Sequence, residues 1–469
     1  MTNSQRPANA SDQKQSLAHA WRAMGALCLG FFMILLDATI VSVATPDLVQ
    51  DLNTSLNAVV WVTSIYLLTY AVPLLVTGRM GDRFGQRNMY QLGMIVFTLS
   101  SLACALAPNV SVLILARAVQ GLGASLLTPQ TMSVINRLFP PQARGAAMGL
   151  WGSVAGLASL TGPILGGFLV TSVGWRWIFL INVPIGVISL ILVTMWVPKF
   201  ESVSRKIDMV SVLLSVVSVF LLVFGLQQGE SHAWAWWIWV MMAAGVLGII
   251  LFVRVQRGKE EALMPLDLFQ NRNFTLGSLS MITMGFAIAA TPLALMLYLQ
   301  TAMHLDAMHA AYLTIPQALF SGLLSPFVGR MADRLHPRIL SCIGFGGMVI
   351  SNVLLIVTMV SGVDYLWVLI PNALLGISSA FVWSPNSATA MRTVPLNRLG
   401  AASGVYNTFR QFGSVIGAAV ISVAMQVTLN HFAFAQAMGY SLIVVAIVLA
   451  FGLFAVSGFR QVSREEVHA

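Results

Sequence analysis

Fourteen apolar runs, each close to the length of a bilayer-spanning helix, leave this chain few architectures. They lie at about 20–42, 57–77, 88–107, 111–133, 145–172, 176–197, 208–226, 234–253, 273–299, 308–329, 339–360, 366–390, 399–427 and 435–458. A spanning helix needs about 20 predominantly apolar residues. Of the 469 residues, 57% are hydrophobic and only 9% are charged, against roughly 25% charged in a soluble domain. A chain this long has too few polar groups to cover a water-exposed surface, which excludes a soluble enzyme, a secreted domain and a disordered protein. The fold class is an all-α polytopic membrane protein.

The basic residues test the count. Of 25 Lys and Arg, 22 fall on the termini or on alternate loops, among them Arg79, Arg83 and Arg87, Arg137 and Arg144, and Arg330, Arg334 and Arg338. The opposite loops hold Arg176 alone, while Arg117 and Arg410 fall inside predicted helices. An odd span count scrambles this partition. The positive-inside rule therefore predicts fourteen spans with both termini cytoplasmic. The outer loops carry Asp47, Asp51, Glu230, Asp306 and Asp364. Trp234, Trp236, Trp237 and Trp239 read as an interfacial aromatic belt before a binding site.

Other classes find little support. The net charge of +9 is scattered singly, so no polybasic arm for nucleic acid exists. Cys28, Cys104 and Cys342 sit in apolar stretches without metal-ligand spacing and read as buried thiols. No Gly-Lys pair precedes Ser or Thr, so ATP is not the expected driver. Without a His/Glu zinc helix or paired intramembrane carboxylates, no enzyme, cofactor or metal is expected.

The chain reads as one membrane unit built from halves. Gly78-Arg-Met-Gly-Asp82-Arg83-Phe-Gly85-Gln-Arg87 recurs 251 residues later as Gly329-Arg-Met-Ala-Asp333-Arg334-Leu-His-Pro-Arg338. Arg144-Gly-Ala-Ala-Met-Gly149 echoes Arg398-Leu-Gly-Ala-Ala-Ser-Gly404. The architecture expected is six helices, two extra, then six. Its parts are a cytoplasmic tail at 1–19, a six-helix bundle at 20–197, two additional helices at 198–256, a second six-helix bundle at 257–458 and a cytoplasmic tail at 459–469. Such repeats enclose a central site near the bilayer midplane.

At these residues a family resemblance appears. The 78–87 segment resembles the loop signature of the major facilitator superfamily, and Asp37-Ala-Thr-Ile-Val-Ser-Val-Ala-Thr-Pro46 resembles the first-helix motif of its fourteen-span drug:proton antiporters. Leu113-Ile-Leu-Ala-Arg117-Ala-Val-Gln120-Gly121-Leu-Gly123 and Gly162-Pro163-Ile-Leu-Gly166-Gly167 are similar to its fourth- and fifth-helix motifs. So are the strings Trp175–Gly186 and Asn407–Gly413. The resemblance spans the whole chain. It departs where Ser42 stands for Asn, Thr45 for Leu, and His336-Pro337 for Gly, and where some relatives carry a second acid in helix 10.

Candidate residues follow. Asp37 is the one acid placed well inside a span, and a carboxylate there should face a cavity or a partner. Arg117 lies at a matching depth, roughly 8–9 Å below the outer boundary at ~1.5 Å per residue. The pair is either a proton-coupling device or a permanent structural ion pair. Gly78, Asp82, Arg83, Gly85 and Arg87 read as gating machinery, with Asp82 meeting a helix N-terminus or an arginine; Arg83 and Arg87 are also topology anchors. Gly149, Gly152, Gly156, Gly162, Gly166 and Gly167 make a smooth packing face, and Pro163 is expected to bend it. The resemblance makes Gly156 to Gly167 an antiporter motif. Tyr66, Gln120, Gln300, Gln317, Asn386, Asn407 and Arg410 are candidate cavity residues or local packing groups. Arg410 has no acid available to it.

The function read from the sequence is proton-coupled efflux of amphipathic, cationic compounds by alternating access. The rivals are a dedicated exporter of one metabolite or anion, a non-transporting sensor and an intramembrane enzyme. Partners are small amphipathic substrates, protons and the lipid bilayer; a periplasmic adaptor is compatible with this reading, and nothing in the chain points to one.

Overall fold

The computed structural model describes residues 10–54, 56–140, 143–200, 208–229, 232–259, 262–305, 307–332 and 334–460, and these are helical or in short connections. Residues 1–9 and 461–469, Glu230, Asp306 and Asp333 lie outside the described residues, as does the side chain of Pro163. The main helices are α1 (Ala10–Ile40), α2 (Leu56–Ala71), α3 (Leu74–Phe84), α4 (Gln86–Ala105), α5 (Val110–Leu138), α6 (Arg144–Val173), α7 (Asn182–Trp196), α8 (Met209–Gln228), α9 (Trp236–Gln256), α10 (Arg272–Leu297), α11 (Ile315–Ala332), α12 (Pro337–Val360), α13 (Leu369–Met391), α14 (Leu399–Leu429) and α15 (Ile443–Ser457).

Twelve helices among the described residues are long and apolar enough to cross a membrane, or thirteen if the bent pair α2–α3 is one span. The run at 145–172 is α6, a single helix of 30 residues, with Ile164–Val173 counted as a shorter apolar helix. Large apolar side chains such as Leu115, Phe168, Leu247 and Phe454 are exposed, as lipid-facing residues must be.

Three expectations need correction. The polar segment before residue 20 is helical from Ala10 onward, because residues 10–19 hold several good helix formers and neither Gly nor Pro. The second run is broken: Pro73 lacks an amide hydrogen, and α2 and α3 meet at a bend of 48°. The segment from Gly78 to Phe84 is not a loop but the end of α3, and the turn is made at Gly85, whose φ of 88° suits glycine. Through position 163, α6 runs as one helix.

Helices from the first six runs pack on one another, chiefly α4 on α5, α2 on α5, α1 on α6 and α7, and α4 on α7. Those of the last six do likewise, with α10 on α14, α11 on α13, α12 on α13 and α15, and α10 on α15. The two sets meet along α3 with α14, α5 with α14, and α6 with α11 and α13. At two of these crossings glycine faces glycine. A Cβ on Gly78 would stand 2.5 Å from the Gly400 carbonyl oxygen and 2.9 Å from Gly404 Cα. A Cβ on Gly329 would strike the Gly145 carbonyl and stand 3.0 Å from Gly149 Cα. The two sequence echoes thus become two matching contacts.

The α8–α9 hairpin packs mainly on itself, while α8 touches both α2 and α14. Leu68 of α2, Val72 at the α2–α3 break, Val219 and Val223 of α8, and Phe412 and Val415 of α14 share one apolar cluster. Asp208 caps α8 by accepting from the Val210 amide at 3.1 Å and the Ser211 hydroxyl at 2.7 Å, and it pairs with Lys259 beyond α9. These hydrogen bonds, led by Lys259, hold its carboxyl down at about 2.

Replacing Gly149 by Val should disrupt α6 on α11, since a Cβ there meets the Ser325 carbonyl and lies 3.0 Å from Pro326 Cα. Overpacking of about 1–3 kcal/mol should lower the melting temperature measurably in thermal-shift assays. Gly167→Val, where nothing lies within 4 Å of a Cβ, should leave it unchanged.

Candidate functional site

Asp37 lies one turn from the end of α1 and is fully buried. Arg117, on α5, is fully buried as well, and its Nη1 pairs with Asp37 Oδ2. The matching depths read from the sequence therefore correspond to contact. The same guanidinium donates from Nη1 to Gln120 Oε1 at 2.8 Å and from Nε to the Val62 carbonyl at 3.2 Å. Its flat face lies 4.1 Å from the Tyr66 ring centroid, and the Phe179 ring is 5.7 Å away. Asp37 Oδ1 accepts from Gln120 Nε2 at 3.0 Å and from Asn182 Nδ2 at 2.9 Å. Asn182 also donates to Ser101 Oγ at 3.1 Å, and Ser101 donates to the Phe179 carbonyl at 3.0 Å. Cys104 Sγ is 3.7 Å from Gln120 Oε1. Charge, hydrogen bonds and aromatic faces thus replace the water that two buried ions have lost.

A second polar site lies at the end of the molecule that carries Arg83, Arg87, Arg137 and Arg398. Asp82, near the end of α3, accepts from the Gly400 amide at 3.0 Å and the Ala401 amide at 2.9 Å. Those amides are at the free N-terminus of α14, where the helix macrodipole favours an anion. Arg137 stands 3.8 Å from Asp82 Oδ1 and donates to the Leu396 carbonyl at 2.8 Å, so it touches both sides of the seam. Gln86 Nε2 donates to Asp82 Oδ1 at 3.3 Å. Arg87 reaches elsewhere and donates to the Thr194 carbonyl of α7 at 2.6 Å, while Arg83 lies 5.1 Å from the Phe84 ring centroid. A helix N-terminus and an arginine meet Asp82 together.

The remaining candidates scatter. Tyr66 and Gln120, read as cavity residues, belong to the Asp37 cluster. Asn386 is buried, accepts from and donates to Ser280, and donates to the Gly277 carbonyl at 3.3 Å, a packing role within one helix set. Asn407 donates to the Ser403 carbonyl at 2.9 Å and lies 3.8 Å from Met132 Sδ across the seam. Arg410 Nη2 reaches Tyr70 Oη at 3.4 Å, also across the seam. Gln300 is exposed, 3.9 Å from Met296 Sδ, and Gln317 backs onto Gly376 through its main chain. A Cβ on Gly156 would stand 3.2 Å from the Gly322 nitrogen, and one on Gly162 would strike the Thr39 hydroxyl. Gly166 is buried, whereas Gly167 faces open space. Sequence reasoning missed Asn182, Ser101 and Arg137. A lone amide inside an otherwise apolar stretch was the available signal for Asn182.

The Major Facilitator Superfamily family model matches residues 27–208 and 192–418. The chain is 46% identical over 406 residues to the uncharacterized MFS-type transporter Rv1250 of Mycobacterium tuberculosis (strain ATCC 25618 / H37Rv), covering 86% of this chain and 70% of that one. It is 32% identical over 405 residues to the multidrug resistance protein Stp of Mycobacterium tuberculosis (strain CDC 1551 / Oshkosh), covering 86% of this chain and 75% of Stp. The fold matches the crystal structure of the human organic anion transporter MFSD10 (TETRAN) with a TM-score of 0.67 at 14% identity, over 93% of this chain and 99% of that one.

Asp82→Asn keeps the side-chain shape and removes the charge at the α14 N-terminus. A loss of about 1 kcal/mol at that contact should part α3 and α14 several-fold more often. Distance distributions between spin labels on the α3–α4 and α13–α14 connections check this, and an unchanged distribution contradicts it.

Proposed function

Because this chain belongs to the Major Facilitator Superfamily, we propose that it is a proton-coupled multidrug exporter of amphipathic, cationic compounds. It works by alternating access, in a bacterial inner membrane. It has fourteen spans arranged six, two and six, and α6 is one of them. Both termini and the Arg-rich loops face the cytoplasm. The observation that carries this reading is the fully buried Asp37–Arg117 pair. A carboxylate placed there is expensive unless it functions, and its protonation weakens its hold on Arg117. The name of the relative Stp, a multidrug resistance protein, supports the substrate class.

The seam supplies the moving part. The set of helices from α1 to α7 and the set from α10 to α15 rock about it. Asp82 on the α14 N-terminus, with Arg137 beside it, closes the cytoplasmic end in the conformation described. Opening breaks those contacts and parts the glycine crossings, where backbone meets backbone closely. Moving one charge across 100 mV yields ~2.3 kcal/mol, so proton exchange drives a modest drug gradient.

A second reading, export of a specific organic anion, rests on Arg410. It is partly buried at the seam, its Nε has no hydrogen-bond partner among the described residues, and its Nη2 donates to Tyr70 Oη rather than to a carboxylate.

The test is ethidium transport in inverted membrane vesicles under an imposed pH gradient. Wild type should transport, and Asp37→Asn should lose gradient-driven transport with its protein level intact. Unchanged transport by Asp37→Asn removes Asp37 from coupling. Absence of ethidium transport by wild type, with gradient-driven anion movement lost in Arg410→Gln, favours the second reading.

A further inference from the structure

Among the described residues, the groups within hydrogen-bond distance of Asp37 are all donors. Arg117 Nη1 serves Oδ2, while Gln120 Nε2 and Asn182 Nδ2 serve Oδ1. An ionised carboxylate only accepts, so it fits this shell. A protonated carboxyl must also donate, and no acceptor among the described residues of the shell faces it. A coupling residue has to exist in both forms, so some neighbour must change roles.

Among the described residues, only two neighbours, Gln120 and Asn182, carry an amide that can reverse. The Gln120 carbonyl is engaged, accepting from Arg117 Nη1 at 2.8 Å with Cys104 Sγ at 3.7 Å. Turning Gln120 breaks that charge-assisted bond. The Asn182 carbonyl oxygen is buried and has no hydrogen-bond partner among the described residues; the residue is 1% exposed. Half a turn of the Asn182 amide sets its oxygen where Nδ2 stood, 2.9 Å from Asp37 Oδ1 and 3.1 Å from Ser101 Oγ. Ser101 is a hydroxyl rotor that can then donate to the amide oxygen.

We propose that Asn182 is the positioning residue for the coupling proton: its amide donates to Asp37 when the carboxylate is charged and turns over to accept the O–H when it is protonated. The inference rests on the reading of Asp37 as the coupling residue. The proton adds to Oδ1 and leaves from it; no other covalent bond forms or breaks. The titratable and charged groups facing Asp37 are Arg117 of α5, Tyr66 of α2 and Cys104 of α4. The other helices packed on α1, namely α6, α7 and Trp177–Leu180, carry no titratable side chain beyond Arg144.

The experiment is pH-jump infrared difference spectroscopy on the purified full-length protein with isotope-labelled asparagine. Wild type should show a carboxylic-acid band that is missing in Asp37→Asn. With it should appear a label-sensitive asparagine carbonyl band, also missing in Asp37→Asn; Asn182 is the asparagine bonded to Asp37. An acid band without a label-sensitive partner overturns the inference and leaves proton coupling standing. Absence of any Asp37-dependent acid band overturns both. In vesicles, Asn182→Leu should lose roughly tenfold in gradient-driven ethidium transport, as for a lost hydrogen bond to a buried charged group. Asn182→Gln should recover part of it and restore the pH profile. A wild-type pH profile in a folded Asn182→Leu protein also overturns the inference.

Discussion

Two ions shut inside an apolar helix stack stay ionised only while their neighbours supply what water would have given. Removing one partner of such a pair typically costs about 3–5 kcal/mol, so the shell around Asp37 and Arg117 constrains everything that touches it. Asp37 comes from α1, Arg117 and Gln120 from α5, Asn182 from α7, and the Val62 carbonyl from α2. Ser101 joins from α4 through Asn182. One charge pair therefore sets the mutual register of five helices. A change at the pair reaches α2 and α7 by a single hydrogen bond and α4 by one more, through Asn182.

The other end of the molecule uses a different device. Asp82 is held by backbone amides that exist only because α14 begins there, and Arg137 joins it from α5. Because α5 also carries Arg117, the two polar sites share a rigid element. Between them lie Asn407 against Met132 and Arg410 against Tyr70, weak polar contacts that cross the seam without locking it.

Much of this was legible in the sequence because the bilayer enforces it. Apolar runs had to become helices, and an acid and an arginine at matching depth had strong reason to meet. The partners predicted for Asp82, a helix end and an arginine, are both there. What stayed hidden depends on rotation about helix axes. Length and hydropathy place Tyr66 and Gln120 at the right level, but not on the face that meets Arg117 rather than a cavity. Asn182 looked like one more polar residue in a family-like string, since nothing local reveals that α7 turns it toward α1. The 78–84 segment looked like a loop because its glycines and charges resemble turn chemistry. They instead serve a close helix crossing, with Gly78 admitting the Gly400 backbone.

The apolar cluster that joins α8 to both α2 and α14 makes the two lipid-facing edges of the seam unequal. At that edge a hairpin bridges the crack like a strap, and widening there must drag it or strip it from one side. At the opposite edge, where α6 meets α11 and α13, no such strap lies across the join among the described residues. Widening the seam therefore strains the strapped edge, whereas the other edge is held by the packing of α6 on α11 and α13.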